Sequence, residues 1–232
     1  MKYRIYFGDL THTGLGTNSK AFPLGVGLVM ANALKELDDL IECELFKFPE
    51  DLNQAILDNP PDLLCLSNYC WNINLSHKFA SYLKTISPDS ITVFGGPNFP
   101  VDLEERKDFL TEYSGIDFYI KWDGEVAFVN LMKNLIDWNL NIEDFKKNKT
   151  ITENCCYLFK NEYIEGPDHR IRDLKTLPSP YLMGIFDKFF PLDLHPLVET
   201  TRGCPYACTF CMWGPVGNTV LRKDEYIFLF CR

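Results

Sequence analysis

Along residues 1 to about 140, runs of consecutive apolar residues alternate with stretches in which apolar positions recur every three or four residues. The first pattern marks strands covered on both faces and the second marks amphipathic helices. Their alternation predicts βαβ units around a parallel sheet. The runs at 3–8 (YRIYFG), 41–48 (IECELFKF), 62–68 (DLLCLSN), 91–96 (ITVFGG) and 118–122 (FYIKW) predict five strands. Residues 22–37, 51–57, 74–86, 101–110 and 125–138 predict the helices between and after them. The expected fold class is α/β, a doubly wound five-stranded parallel sheet of Rossmann-like form.

The pattern changes after Trp138. Residues 139–154 are polar and charged with no long apolar period, and predict a linker. Residues 155–166 alternate around Lys160-Asn161, which suits a two-stranded hairpin. In 167–196, Pro178, Pro180, Pro191 and Pro196 forbid a long helix, and the aromatic residues between them are expected to anchor an extended crossing segment to a neighbouring domain. Residues 196–203 (PLVETTRG) predict a strand that delivers its carboxyl end into a loop rich in cysteine. The expected organisation is a sheet domain at 1–140, a linker with a hairpin at 141–197, and the start of a further domain at 198–232. The sequence carries no internal repeat or low-complexity tract.

An open parallel sheet binds ligands at the carboxyl ends of its strands. Here those ends carry Asp9 to Gly14 with Thr11 and His12, then Ser67-Asn68, Gly95-Gly96-Pro97-Asn98 and Asp123-Gly124-Glu125. The same residue types also make plain turns. The paired glycines are the most suggestive, since they let backbone approach a ligand closely.

Composition narrows the classes. The net charge of −9 repels phosphate backbones, and no basic face is interleaved with aromatics, which disfavours nucleic acid. The longest weakly polar run, 23–34, is too short to span a bilayer, and the N-terminus lacks a signal-peptide cleavage site, so a soluble, cytoplasmic protein without membrane partners is expected. Nine cysteines without a secretory signal are expected to be reduced, and a local cluster of them indicates metal. Cys43, Cys65 and Cys70, in or next to apolar runs, are expected to behave as small buried hydrophobes. His77 and His169 are expected at the surface.

Residues 199–214 (ETTRGCPYACTFCMWG) hold Cys204, Cys208 and Cys211 at C-x3-C-x2-C spacing. Structural zinc takes four protein ligands, and the fourth here falls to His195 or Cys231, neither in a familiar paired spacing. An electron-transfer iron-sulfur cluster with four thiolates also needs a distant fourth cysteine. A third arrangement uses the three thiols alone and leaves one iron of a [4Fe-4S] cluster open to a cofactor or substrate. Gly203 allows tight geometry at the strand end, Pro205 fixes the first turn, and Phe210 offers a stacking face before the last cysteine. Glu199 and Arg202 flank the loop, either orienting cofactor groups or simply paired in salt bridges.

On these residues the sequence resembles the radical S-adenosylmethionine (radical SAM) family, whose motif matches Cys204, Cys208, Phe210 and Cys211. The resemblance implies a [4Fe-4S] cluster on the three thiolates, with Phe210 at the S-adenosylmethionine site. It implies one-electron cleavage of the sulfonium to a 5'-deoxyadenosyl radical, with an electron donor such as flavodoxin or ferredoxin and a small-molecule substrate. A doubly wound domain ahead of that motif is similar to the cobalamin-binding domain of one branch of the family, and residues 177–189 resemble the linker of that branch.

That branch implies cobalamin held by the strand-end loops, with Thr11, His12, Ser67, Asn68, Gly95, Gly96, Pro97 and Asn98 as binding residues. Family members that ligate cobalt through histidine use D-x-H-x-x-G, whereas Asp9, His12 and Gly14 give D-x-x-H-x-G. Other members bind cobalamin with no protein histidine on the metal. A full barrel takes about 250 residues, and only 35 remain from Val198, so a truncated or frameshifted product of a longer gene is expected. Two functions are then open: a cobalamin-type radical SAM enzyme that methylates or rearranges a small metabolite, or a non-catalytic remnant whose sheet domain binds cobalamin or a partner.

Overall fold

The computed structural model describes residues 2–14, 16, 19–204, 206 and 208–210, with the backbone of 222–223. Five parallel strands form where the apolar runs predict them: β1 (Tyr3–Gly8), β2 (Ile41–Phe46), β3 (Leu63–Ser67), β4 (Ile91–Gly95) and β5 (Phe118–Ile120). The helices after them are α1 (Leu24–Leu37), α2 (Pro49–Asp58), α3 (Ile73–Ile86), α4 (Leu103–Glu112) and α5 (Gly124–Asp137). Local chemistry starts two of them. Pro49 occupies the first turn of α2, where its missing N–H costs nothing. Asp102 caps α4 by accepting from the amides of Glu104 at 2.9 Å and Glu105 at 3.2 Å.

The expected linker is partly helical. Residues Ile142–Lys147 form α6, capped by Asn141, whose side chain accepts from the Asp144 amide at 3.0 Å. Its main apolar anchor is Phe145, fully buried edge-on against Phe118 and Tyr157, with the partly buried Ile142 packed beside the core. The hairpin forms as expected, from β6 (Cys155–Phe159) and β7 (Glu162–Glu165). Lys160 and Asn161 at its tip both have positive φ, 48° and 65°, the geometry that suits strand twist.

The hairpin joins the main sheet, giving seven strands in the order β2-β1-β3-β4-β5-β6-β7. β1 to β5 are parallel, β6 adds antiparallel to β5, and β7 adds antiparallel to β6. The winding direction reverses between β1 and β3, each a neighbour of the other, so a crevice opens at their carboxyl ends. Strand alternation splits the core. Ile5, Phe7, Leu63 and Cys65 face α1 and α5 on one side, while Tyr6, Leu64 and Leu66 face the opposite layer with α2, α3 and α4.

The proline-rich segment makes no long helix. It is anchored on the sheet domain itself: Phe186, fully buried, packs against Gly27 of α1 and lies 5.7 Å from Phe22 and 4.7 Å from Tyr181 between ring centroids. The predicted strand over 196–203 is shorter than expected, with only β8 (Thr201–Arg202) assigned. Upstream, His195 pairs with the loop before α1: its amide donates to Lys20 O at 2.6 Å, and the Phe22 amide donates to its carbonyl at 2.9 Å. Among the described residues no helix is long and apolar enough to cross a membrane.

Candidate functional site at the strand ends

A cavity of about 810 Å³ opens at the carboxyl ends of β1, β3, β4 and β5. The first turns of α1 supply one side and the loops after β3, β4 and β5 supply the floor and a second side. Residues 197–203, leading into the cysteine loop, form a further wall. The sheet and the segment that leads into the cysteine loop therefore share one concavity, while Cys204, Cys208 and Phe210 are not among its described lining residues.

Glycine shapes its edge. Gly96 has φ +130°, and a Cβ there would lie 2.5 Å from the carbonyl oxygen of Asn68, so the loop after β4 requires glycine. Gly25, on the cavity side of α1, has open space where a Cβ would point.

The cations that line the cavity are all engaged. Lys121 donates to Glu165 at 3.0 Å and Asp168 at 2.8 Å. Arg106 donates to the same Glu165 oxygen at 2.9 Å and to Pro100 O at 2.9 Å, and Tyr163 donates to that oxygen at 2.6 Å. Arg170 lies 4.2 Å above the Trp122 ring and 3.9 Å from Asp123. Arg202 donates to Glu125 and, at 2.8 Å, to Glu199. Burial alone pulls the Arg202 guanidinium down, but the charges and hydrogen bonds of Glu125 and Glu199 outweigh it and raise its pKa. What the cavity offers a ligand is thus mostly apolar side chain and glycine backbone, without unpaired positive charge among the described residues.

The expected binding residues divide into two groups. Ser67, Gly95, Gly96 and Pro97 line the cavity. Asn68 and Asn98 instead bond each other: Asn68 Nδ2 donates to Asn98 O at 2.6 Å, and Asn98 Nδ2 donates to Asn68 Oδ1 at 3.0 Å. Asn68 also contacts the Tyr119 hydroxyl at 2.9 Å. Thr11 is buried, its hydroxyl accepting from the Ser19 amide at 2.9 Å. His12 is exposed, its Nε2 lying 3.1 Å from Trp71 O, and no histidine is among the described lining residues.

Behind Ser67, a buried polar chain holds the switch point together. Ser67 Oγ donates to Asp9 at 2.6 Å, Lys47 donates to the other Asp9 oxygen at 2.8 Å, and Asn72 donates to Ser67 Oγ at 3.0 Å. Lys47 is only 1% exposed, so Asp9 neutralises a cation withheld from water. Tyr69, on the cavity side, stacks on Trp71 with centroids 4.5 Å apart. Burial, reinforced by the charges of Asp9 and Glu199, raises its phenol pKa.

In the cysteine segment, Gly203 has φ +94° and turns the chain out of the cavity wall. Cys204 and Cys208 are half-buried free thiols and Phe210 is 92% exposed. Cys211, Pro205 and Cys231 lie outside the described residues. Cys65 is buried as expected and Cys43 is half-buried, with burial pushing the Cys43 thiol up to about 12. Cys70 is exposed, contrary to expectation, because it precedes the turn into α3 rather than lying in β3. His77 is likewise half-buried, not at the surface, edge-on to Tyr113 and accepting from the Gly115 amide at 3.3 Å.

Sequence reasoning missed much of the lining: the start of α1, Arg106, Lys121, Trp122 and Arg170. The closely spaced glycines Gly25 and Gly27 at the head of a helix were the available signal. For the cations there was none, because their placement depends on pairings with Glu165, Asp168 and Asp123 across the fold.

No family model matches the chain. It is 33% identical over 238 aligned residues to the cobalamin-dependent radical SAM methyltransferase TokK of Streptomyces tokunonensis, covering 96% of this chain and 32% of that protein. It is 32% identical to the 2-(S-pantetheinyl)-carbapenam-3-carboxylate methyltransferase of Streptantibioticus cattleyicolor, covering 70% of this chain and 23% of that one. The chain thus spans about a third or less of the length of these relatives. The cobalamin-dependent S-adenosylmethionine radical enzyme OxsB, solved with aqua-cobalamin and S-adenosylmethionine bound, shares the fold with a TM-score of 0.69 at 18% identity, over 96% of this chain and 30% of that one.

Proposed function

This chain is a homologue of cobalamin-dependent radical SAM methyltransferases, and on that premise we propose that it is the cofactor-gathering part of such an enzyme, acting on a small-molecule substrate. The cavity takes the corrin of cobalamin. Cys204, Cys208 and Cys211 ligate a [4Fe-4S] cluster, and Phe210 stacks at the S-adenosylmethionine bound to its open iron. The observation that carries this reading is the shared concavity, in which the wall at 197–203 runs directly into Cys204.

The residues suit these groups. A broad neutral macrocycle with a fringe of amides needs apolar walls, glycine backbone at close range and no net charge opposite it. Gly95, Gly96 and the paired cations of the rim supply that environment. When bound, cluster and S-adenosylmethionine supply a 5'-deoxyadenosyl radical, and cobalamin supplies a methyl carrier. The chain's part is orientation and exclusion of water. Tyr69 and the α1 face shield the cavity, the Asp9–Ser67–Lys47 chain fixes the switch-point floor, and Gly203 sets the exit toward the thiolates. Methylation fits the curated relatives better than rearrangement. A flavodoxin or ferredoxin donor, to reduce the cluster, and a cytoplasmic location, to keep the thiols reduced, complete the proposal.

The test is titration with hydroxocobalamin followed by anaerobic reconstitution with iron and sulfide. Comigration of cobalamin with the protein, together with a [4Fe-4S] resonance that shifts on adding S-adenosylmethionine, is expected. Cys204→Ala, Cys208→Ala and Cys211→Ala should each abolish the stable cluster. Full iron retention in any one of them would sink the ligand assignment, and failure to take up cobalamin would sink the cavity assignment.

A further inference from the structure

We propose that Arg202 is a positioning residue that keeps the cysteine loop in register with the cavity, an inference that rests on the cobalamin reading above. Its guanidinium engages carboxylates from two separate parts of the chain. Nη2 donates to Glu125 Oε1, in the first turn of α5, and Nη1 lies 3.8 Å from Asp123 Oδ1, just before that helix. Nε donates at 2.8 Å to Glu199 Oε2, in the cavity wall itself. The Arg202 side chain is 11% exposed and that of Glu125 is 4% exposed, so the pair lies where loss of one partner strands the other charge away from water.

Arg202 closes the downstream end of the wall. The upstream end is held by Tyr181, whose hydroxyl donates to Leu197 O at 2.7 Å and accepts from the Leu197 amide at 3.0 Å. Cys204 follows Arg202 by two positions, and the intervening Gly203 alone sets the direction of the chain. The wall that touches a cavity occupant and the strand that aims the first thiolate are therefore one element, clamped at its two ends by Tyr181 and Arg202. An occupant that favours the clamped wall must favour the clamped loop equally, because such coupling is reciprocal.

Hydrogen exchange across residues 197–204 of the full chain, with and without hydroxocobalamin, tests this in wild type, Arg202→Gln and Arg202→Lys. In wild type, exchange in that segment slows when cobalamin binds. Arg202→Gln should speed it by about tenfold or more without ligand, abolish the slowing, and leave exchange in the strands of the sheet unchanged. Arg202→Lys, able to reach one carboxylate but not to bridge two, should fall between. Wild-type exchange in Arg202→Gln overturns the inference, as does faster exchange spread through the whole sheet. Should wild type take up no hydroxocobalamin, the cobalamin reading fails, and the unliganded comparison still decides the role of Arg202.

Discussion

Gly96 and the carbonyl of Asn68 stand so close that a methyl group on Gly96 would lie 2.5 Å from that oxygen. The same glycine sits at φ +130°, and the amide of Asn68 donates to Gly95 O at 2.7 Å, so two strand-end loops are built against each other at the cavity floor. Gly96→Ala therefore meets both backbone strain and overlap. Strain alone costs about 1–3 kcal/mol, and the variant should show a lowered urea midpoint together with weakened cobalamin uptake. An unchanged midpoint would mean that the loop relaxes freely and does not define the floor.

Phe186 holds the proline-rich segment on α1. It is fully buried among Phe22, Tyr181 and Phe189, and a Cβ on Gly27 would overlap its ring. Phe186→Ala should destabilise the protein by about 3–5 kcal/mol, read by denaturant unfolding. Limited proteolysis should then cut first within 167–196. Cleavage beginning elsewhere would show that the segment is held by other contacts.

His12→Ala should leave both the affinity for hydroxocobalamin and its visible spectrum unchanged. The ring lies outside the cavity lining and is held near Trp71 O. A spectral shift on losing His12 would instead assign it to cobalt.

Lys121 ties stability to acid pH. Burial pushes the Glu165 and Asp168 carboxyls up, but the Tyr163 hydrogen bond, followed by Lys121 and Arg106, holds Glu165 below its ordinary value, and Lys121, followed by Trp122 and Arg106, does the same for Asp168. A carboxyl lowered in the folded state contributes stability above its unfolded pKa, about 4.3 for Glu and 3.9 for Asp. That contribution is lost as pH falls through the lowered folded values. Urea midpoints should thus decline below about pH 4, and Lys121→Met should be less stable at neutral pH with a shallower acid decline. Parallel pH curves for the two proteins would contradict this.

The strands were legible because burial on both faces leaves an uninterrupted apolar signature, as in Leu63 to Leu66. α6 escaped because one buried Phe145 gives no period, although Asn141 three residues before Asp144 was a readable cap. At the site, polarity was legible but direction was not. Ser67 and Asn68 are adjacent and both polar, yet one lines the cavity and the other is spent on Asn98 and Tyr119. The pairing of Arg202 with Glu125 spans 77 positions. No local pattern announces an ion pair at that separation, because each residue alone resembles a solvated surface charge.

The wall at 197–203 also sets the smallest fragment that would keep the cavity closed. A fragment ending at residue 140 would keep β1 to β5, yet it would leave the concavity open to water on one side and remove both clamps that hold the wall. Transplanting the cavity into another scaffold thus requires carrying the proline-rich strap with it.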